Sequence, residues 1–386
     1  VILTTSPDSP RGYTNAGFLA AGSGEWVAKA HLPYAVSDLA VVEYNGVGLL
    51  LGGLSDNGTV LDTVALYDPT FETINTTFTT LPTPRYRFGA AIAGDKLFVV
   101  GGYAMPDGDP LATCDEFTFA THSWAPCPNM SLPRGDIAAA AGVAPSGDPA
   151  VYVFGGYSTG YDASVSGTLV EALLVGGSSW RTRAAMPTAR GDLGAITLVS
   201  HNEIFVVGGW SPVTEKFTAA VEVYLPAADR WVALPAMPTA RGDKALAILG
   251  HHLLVIGGEV WSGKTGPCPW DPSLTCDVNE VPLHAVHSIT VEGHGVHGVE
   301  DVKEFSTAHW TTHAPVPDAR FRFAAATLGE AVFTFGGHAQ KTVSLPTVDA
   351  FYDAEHPEVW VHVKGPGHDH HDDEDEDEEH DHDRAR

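Results

Sequence analysis

Short apolar runs that end in two glycines recur along the chain: Leu49-Leu50-Leu51-Gly52-Gly53, Val99-Val100-Gly101-Gly102, Val153-Phe154-Gly155-Gly156, Val206-Val207-Gly208-Gly209, Val255-Ile256-Gly257-Gly258 and Thr334-Phe335-Gly336-Gly337. Successive diglycines lie 49, 54, 53, 49 and 79 residues apart, which is one supersecondary unit of about 50 residues with an insertion before the last copy. Each diglycine is followed by an apolar residue or Cys with an aromatic residue or Leu three positions on: Val64 and Tyr67, Cys114 and Phe117, Val170 and Leu173, Val221 and Tyr224, Val302 and Phe305, Val348 and Phe351. Trp124, Trp180, Trp231, Trp310 and Trp360 then close five of the units. Turn segments separate the units, among them the near-duplicates Ala185-Met186-Pro187-Thr188-Ala189-Arg190 and Ala236-Met237-Pro238-Thr239-Ala240-Arg241.

The runs are short and bounded by turn residues, so each unit is predicted to be four antiparallel strands: an Ala-rich strand after the Arg, the diglycine strand, the aromatic strand and the Trp strand. A sheet of this kind must bury both faces, and six stacked radially bury one another, with Trp and Tyr filling the space between neighbours. The expected fold is all-β, a six-bladed propeller of four-stranded antiparallel blades. It spans residues 35–365, with an insertion at 259–301 in blade 5, an N-terminal segment 1–34 and a tail 366–386. Trp26 is expected on an extra outer strand that latches the ring beside the C-terminal blade. A degenerate seventh blade in residues 1–33 is the alternative, but no diglycine occurs there.

Six agreeing copies of diglycine, spaced aromatic and Trp resemble the kelch-repeat family from roughly Ala35 to Val363. The resemblance implies a closed propeller. Some members of that family are enzymes: copper galactose oxidases, sialic-acid mutarotases and iron-dependent plant specifier proteins. The galactose oxidases use a cysteine cross-linked to a ligand tyrosine, whereas the cysteines here are better paired with each other. The specifier spacing of Glu, Asp and His at four-residue steps is absent near Glu259 and Glu280.

Composition narrows the picture. With 41 Gly, 27 Pro and 44% hydrophobic residues the chain suits a turn-rich β protein with a large core. No apolar run approaches the ~18 residues of a membrane span, so no membrane insertion is expected. The formal charge is −27, and 37 acidic against 19 basic residues precede Pro366. Such a surface repels phosphate backbones, which excludes nucleic acid and favours cations or basic partners. Cys114 with Cys127 and Cys268 with Cys276 have the arithmetic of two local disulfides, the first facing across a hairpin. Asn57, Asn75 and Asn129 open glycosylation sequons. The chain begins at Val1 without Met, as a leader-trimmed form would. Together these features point to secretion, or to residence in the secretory-pathway lumen.

In an antiparallel unit the start of the first strand lies beside the end of the second, so both open on one mouth of the channel. The first set of positions reads Asp38, Arg87, Asp136, Asp192, Asp243 and Arg322; the second, directly after the diglycines, reads Leu54, Tyr103, Tyr157, Trp210, Glu259 and His338. Arg87 can offset Asp38 and Asp136, and Arg322 can offset Asp243 and Asp38. Asp192 has only acidic neighbours, so it either holds a raised pKa or recruits a cation. Asp136, Asp192 and Asp243 are therefore a candidate Ca²⁺ or Mg²⁺ site. The alternative is that these carboxylates accept turn amides and lock blade to blade. Tyr103, Tyr157 and Trp210 beside carboxylates suit a sugar ring, with core packing as the other reading.

Arg-Gly-Asp occurs at 134–136, 190–192 and 241–243. All three copies fall at one repeat position, so repeat geometry accounts for them better than an integrin-type loop. His284, His287, His294 and His297 form two His-x-x-His steps that a helix would turn into a zinc face, although Val286, Ile289 and Val291 argue for a strand. The tail, with His368, His370, His371, His380 and His382 among Asp and Glu, has nothing apolar to bury; its expected role is solubility, or loose capture of Zn²⁺ and Ca²⁺. No cofactor is required by this reading. A noncatalytic scaffold holding a protein or glycan at the mouth is the leading expectation. A mutarotase-like enzyme using Glu259, His338 and Asp192 is the runner-up.

Overall fold

The computed structural model describes residues 24–159, 162, 164–261, 265–268, 271–277, 280–291, 309–340 and 343–352, with the backbone alone described within 265–280 and at 340 and 343. The chain forms six four-stranded antiparallel sheets. Blade 1 runs Ala40–Tyr44, Val47–Leu51, Thr63–Asp68 and Thr73–Thr80; blade 2 runs Gly89–Ala93, Lys96–Val100, Cys114–Thr118 and Ser123–Cys127. Blade 3 uses Ala138–Val143, Pro149–Phe154, Val170–Leu174 and Arg181–Thr182, and blade 4 uses Gly194–Leu198, Glu203–Val207, Val221–Leu225 and Arg230–Ala233. Inner strands of neighbouring blades touch in the order 1–2–3–4–5–6–1, which closes the circle. No helix among the described residues is long and apolar enough to cross a membrane.

Two strands differ from the sequence expectation. In blade 5, after Ala245–Leu249 and His252–Ile256, the third strand is Val286–Thr290 and the outer strand is Trp310–Thr312. Val302 and Phe305, assigned to that third strand from the spacing, lie outside the described residues. The long insertion shifts the count: Val286 and Ile289 keep the apolar spacing, with Ile289 where the other units carry an aromatic or Leu. In blade 6 the strands Ala324–Leu328, Ala331–Phe335 and Val348–Tyr352 are completed by Glu25–Ala28 from the start of the chain, paired Trp26 to Phe351 and Val27 to Ala350. Trp26 thus fills the place expected for Trp360, which lies outside the described residues.

The core sits between blades. Among the described residues the buried apolar side chains gather into six clusters, one per interface. Between blades 3 and 4, Tyr152 meets Tyr224, and Phe154 meets Tyr224 and Trp231, at ring-centroid distances of 5.5–6.0 Å. Each outer-strand Trp also reaches back to the preceding blade: Trp180 Nε1 donates to the Pro128 carbonyl, Trp231 to Ala184, Trp310 to Pro235 and Trp26 to Ala314, at 2.6–3.1 Å. On the outer hairpin of blade 2, Cys114 and Cys127 are direct cross-strand partners joined by a disulfide, with Cα atoms 5.1 Å apart. The side chains of Cys268 and Cys276 lie outside the described residues.

The diglycines receive the chain as it crosses to the next blade. The second glycine donates to the carbonyl of residue 85, 134, 190, 241, 320 or 36 of the following blade, at 2.8–3.1 Å. A Cβ on the first would strike that same carbonyl; at Gly155 it would come within 2.4 Å of the Arg190 oxygen, and its φ of 58° is left-handed besides. Both glycines are needed because two backbones pass at contact.

Trp26 holds the closing strand to the last blade through a 5.3 Å ring contact with Phe351, and ties that blade to blade 5 through its hydrogen bond to Ala314. Trp26→Ala is expected to lower unfolding free energy by about 3 kcal/mol, read from urea denaturation of the full chain; an unchanged midpoint would show that the strand contributes nothing to closure.

Candidate functional site

The six mouth positions form a closed backbone circuit. Arg87 N donates to Asp38 O, Asp136 N to Arg87 O, Asp192 N to Asp136 O, Asp243 N to Asp192 O, Arg322 N to Asp243 O and Asp38 N to Arg322 O, at 2.7–3.2 Å. All six residues have left-handed φ between 47° and 55°. Aspartate tolerates that conformation; at Arg87 and Arg322 it costs on the order of 1 kcal/mol each.

Side chains overlay a second circuit. Arg87 binds Asp38 at 2.8 Å and Asp136 at 3.1 Å, and Arg322 binds Asp243 at 3.0 Å with Asp38 at 3.8 Å. Burial works to raise the Asp38 pKa, but the two guanidiniums and the Ser37 hydroxyl outweigh it and hold the carboxyl below its ordinary value. Asp192 is the exception to the alternation of charge. Burial, and then the carboxylates of Asp243 and Asp136, push its pKa well above the ordinary range. It accepts the Tyr157 hydroxyl at 2.9 Å. Among the described residues no three His, Cys, Asp or Glu side chains are placed to hold a metal ion. Asp136, Asp192 and Asp243 are not gathered into a ligand set, because each is anchored to its own blade and Arg87 and Arg322 occupy the outer two.

The residues after the diglycines sit against the same ring, Tyr103 beside Tyr86, Tyr157 beside Gly135, Trp210 beside Gly191, Glu259 beside Gly242 and His338 beside Phe321. Leu54 pairs with Ser37. Tyr103 and Tyr157 differ from the expectation of open stacking faces: both are buried. Their hydroxyls donate to Asp136 and Asp192 of the following blades at 2.9 Å, so core packing claims their rings. This also explains the Arg-Gly-Asp triplets. A Cβ at Gly135 or Gly191 would come within 2.0 or 2.3 Å of those tyrosine rings, and at Gly242 within 2.4 Å of Phe217. Glu259 and His338 are buried as well; burial pulls the His338 pKa down, the Asp38 charge pulls it up, and Arg322 and Arg87 push it down again. Trp210 is half-buried, stacked edge-on against Phe217 at 5.1 Å and tilted against Trp261 at 5.7 Å. Trp261 is 47% exposed.

Sequence reasoning missed the role of the Arg that opens each unit. Arg85, Arg134, Arg190 and Arg320 are fully buried and pair with Asp115, Glu171, Glu222 and Asp349 at 2.5–2.7 Å. The partner always sits one residue into the third strand. Burial holds all four guanidiniums below their ordinary pKa, against the pull of the paired carboxylates. Breaking one partner of such a pair costs about 3–5 kcal/mol. Blade 1 loses both members together, with Val36 and Ala65 in their places. The matching carboxylates were visible in the sequence as this paired occurrence. In blade 5 the partner of Arg241 is His287, whose Nδ1 accepts from Nη2 at 2.8 Å. Burial, then the Arg241 charge, pulls the His287 pKa down to about 4, and burial brings Arg241 to about 10. His284 bonds the Val316 carbonyl, while His294, His297 and the tail histidines lie outside the described residues. Asn57, Asn75 and Asn129 are all exposed.

Blade 5 therefore buries a cation with a neutral partner. Between its unfolded value of 6.5 and about 4, His287 binds a proton only in the unfolded chain, so stability falls as pH drops through that window. His287→Glu, which restores the arrangement of blades 3 and 4, is expected to raise stability at pH 7 by about 1–3 kcal/mol; thermal melts of both proteins across pH 4–8 measure it, and a lower melting temperature at pH 7 would refute the pairing argument.

The kelch motif matches residues 84–131 and 197–238. Over 303 residues the chain is 26% identical to Kelch-like protein terF of Aspergillus terreus, covering 74% of this chain and 57% of that one. It is 26% identical to human Kelch-like protein 34 over 253 residues, covering 61% and 37%. A third relative, the N-(sulfonatooxy)prop-2-enimidothioate sulfolyase of Thlaspi arvense, is 26% identical over 280 residues, 68% of this chain and 72% of that one. The chain thus spans just over half the length of terF and little more than a third of the human protein. Among solved structures YjhT superposes with a TM-score of 0.62 at 13% identity, covering 82% of this chain and 95% of that one, a likeness of fold alone.

Proposed function

Because this chain is a kelch-repeat propeller, we propose that it is a noncatalytic secreted scaffold that holds a basic segment of a partner protein on the rim of its mouth beside blades 4 and 5. The observation that carries this reading is the contrast between ring and rim. Ring side chains bond one another, and Tyr103 and Tyr157 spend their hydroxyls on ring carboxylates, which leaves little free for chemistry. Trp261 stands exposed on the Trp210–Phe217 pair. An exposed aromatic backed by a packed aromatic is the composition of an interface anchor. Four carboxylates against two guanidiniums in the ring, within a chain of formal charge −27, favour a partner rich in Lys or Arg.

Secretion is supported by the Cys114–Cys127 disulfide and by three exposed sequon asparagines. A second reading, catalysis at the same mouth, is favoured by the similarity to the sulfolyase. Turnover of sulfated thiohydroximates or mutarotation of free sugars by the purified chain would establish it.

The full chain is expected to bind Arg- and Lys-rich peptides with affinity that falls as salt rises, and Trp261→Ser is expected to weaken binding about tenfold with no change in melting temperature. Binding confined to acidic peptides or to a neutral glycan array, or a Trp261→Ser variant that binds undiminished, rejects the proposed partner. Expressed through a eukaryotic secretory pathway, the chain is expected to lose mass on peptide N-glycosidase treatment, and less of it after Asn57→Gln, Asn75→Gln or Asn129→Gln; no shift in mass would count against secretion in glycosylated form.

A further inference from the structure

The residue that follows each ring position is apolar in five blades: Leu39, Phe88, Ile137, Leu193 and Phe323. In blade 5 it is Lys244. Lys244 lines a cavity of about 150 Å³ in the channel whose other walls are Ala, Gly, Val, Leu and Phe residues of the inner strands, among them Ala138, Gly194, Leu246 and Ala324. It is therefore the one polar side chain on that wall. The residue is 6% exposed, and its Nζ donates to the Asp192 carbonyl oxygen at 3.2 Å.

The charged groups acting on this amine come from blades 4 and 5. Burial is the largest influence and disfavours the ammonium, the Arg190 and Arg241 charges act in the same sense, and the Asp243 and Asp192 carboxylates oppose them. The result is a pKa pulled down to about 7, so a large share of Lys244 is unprotonated at neutral pH. An ordinary lysine, near 10.4, holds only about one free amine in 2,500 at pH 7. A free amine beside an apolar space is a nucleophile with a binding pocket.

We propose that Lys244 is a carbonyl-reactive amine that forms an imine with small apolar aldehydes entering the channel. The Nζ lone pair attacks the carbonyl carbon, the C=O π electrons go to oxygen, and proton transfer gives a carbinolamine. Loss of that oxygen as water leaves C=N; no oxidant or reductant takes part. A space of about 150 Å³ is of the size that takes benzene, and its alanine, glycine and leucine residues favour benzaldehyde over a hexose. Asp192 and Asp243 stabilise the protonated imine as they do the ammonium.

The test uses the full chain, benzaldehyde and cyanoborohydride at pH 7, with peptide mass spectrometry to locate the reduced adduct. Lys244 is expected to be labelled at least about tenfold faster than Lys29, Lys96 and Lys216, with glucose giving no such preference. Lys244→Arg, which keeps a cation, is expected to remove the fast adduct while the protein stays folded by its melting curve. Should Lys244→Arg fail to fold, the wild-type rate against pH decides: a midpoint near 7 supports the assignment. Labelling of Lys244 no faster than the surface lysines, or a midpoint near 10, overturns it.

Discussion

Six peptide groups bonded head to tail around an axis are the constraint from which the rest of this propeller follows. Each of residues 38, 87, 136, 192, 243 and 322 accepts from one neighbouring blade and donates to the other, so no blade can tilt without breaking two bonds. The circuit demands left-handed backbone at every station, and Asp meets that demand at four of them. Behind the ring, each crossing segment passes through the preceding diglycine, and in five blades an Arg reaches from the same segment into its own blade. Arg134, for example, accepts from Gly102 N of the preceding blade through its carbonyl and passes its guanidinium to the Gly155 carbonyl and Glu171 of its own blade, so one residue ties the blade both to its neighbour and to its own third strand.

Much of this was legible because repetition amplifies weak signals. One diglycine says little, whereas six at regular intervals fix the blade count, and counting from them placed all six ring residues correctly. The Trp strand was readable for the same reason. The Arg–carboxylate locks were not read, since an Arg at a turn and a Glu in an aromatic strand each have an ordinary explanation alone. Their link appears only when blade 1, with Val36 and Ala65, is seen to lack both. Counting failed where chain was added: the insertion of blade 5 moved its third strand away from Val302 and Phe305, and a distant segment supplied Trp26 in place of Trp360. Mouth chemistry was the least legible part. Side-chain direction decides whether a tyrosine faces a ligand or a neighbour, and the Gly135 and Gly191 contacts that draw the rings inward are three-dimensional facts.

The division between a self-satisfied ring and a variable rim has a general physical sense. Ring residues are held by bonds that close the fold, so altering them for a ligand costs stability. Beyond the residues that pair with the ring, the segments after the diglycines carry less of that burden, and the exposed Trp261 stands at the end of one of them, on the short strand Glu259–Trp261. Blade 5 departs from the others twice, in Arg241 with His287 and in Lys244. Both departures put a basic side chain in a buried place, and both lie on the blade that bears the insertion.

Glu25–Ala28 is the outer strand of the last blade although it is synthesised before the first. During translation its hydrogen-bonding edge has no native partner until Val348–Tyr352 has left the ribosome tunnel, more than three hundred residues later. For that whole interval the nascent chain holds an unpaired strand and an open seam between blades 6 and 1. Closure is thus the last step in the folding of the ring, and the step at which a waiting chaperone, or a second nascent chain exchanging the same strand, can intervene.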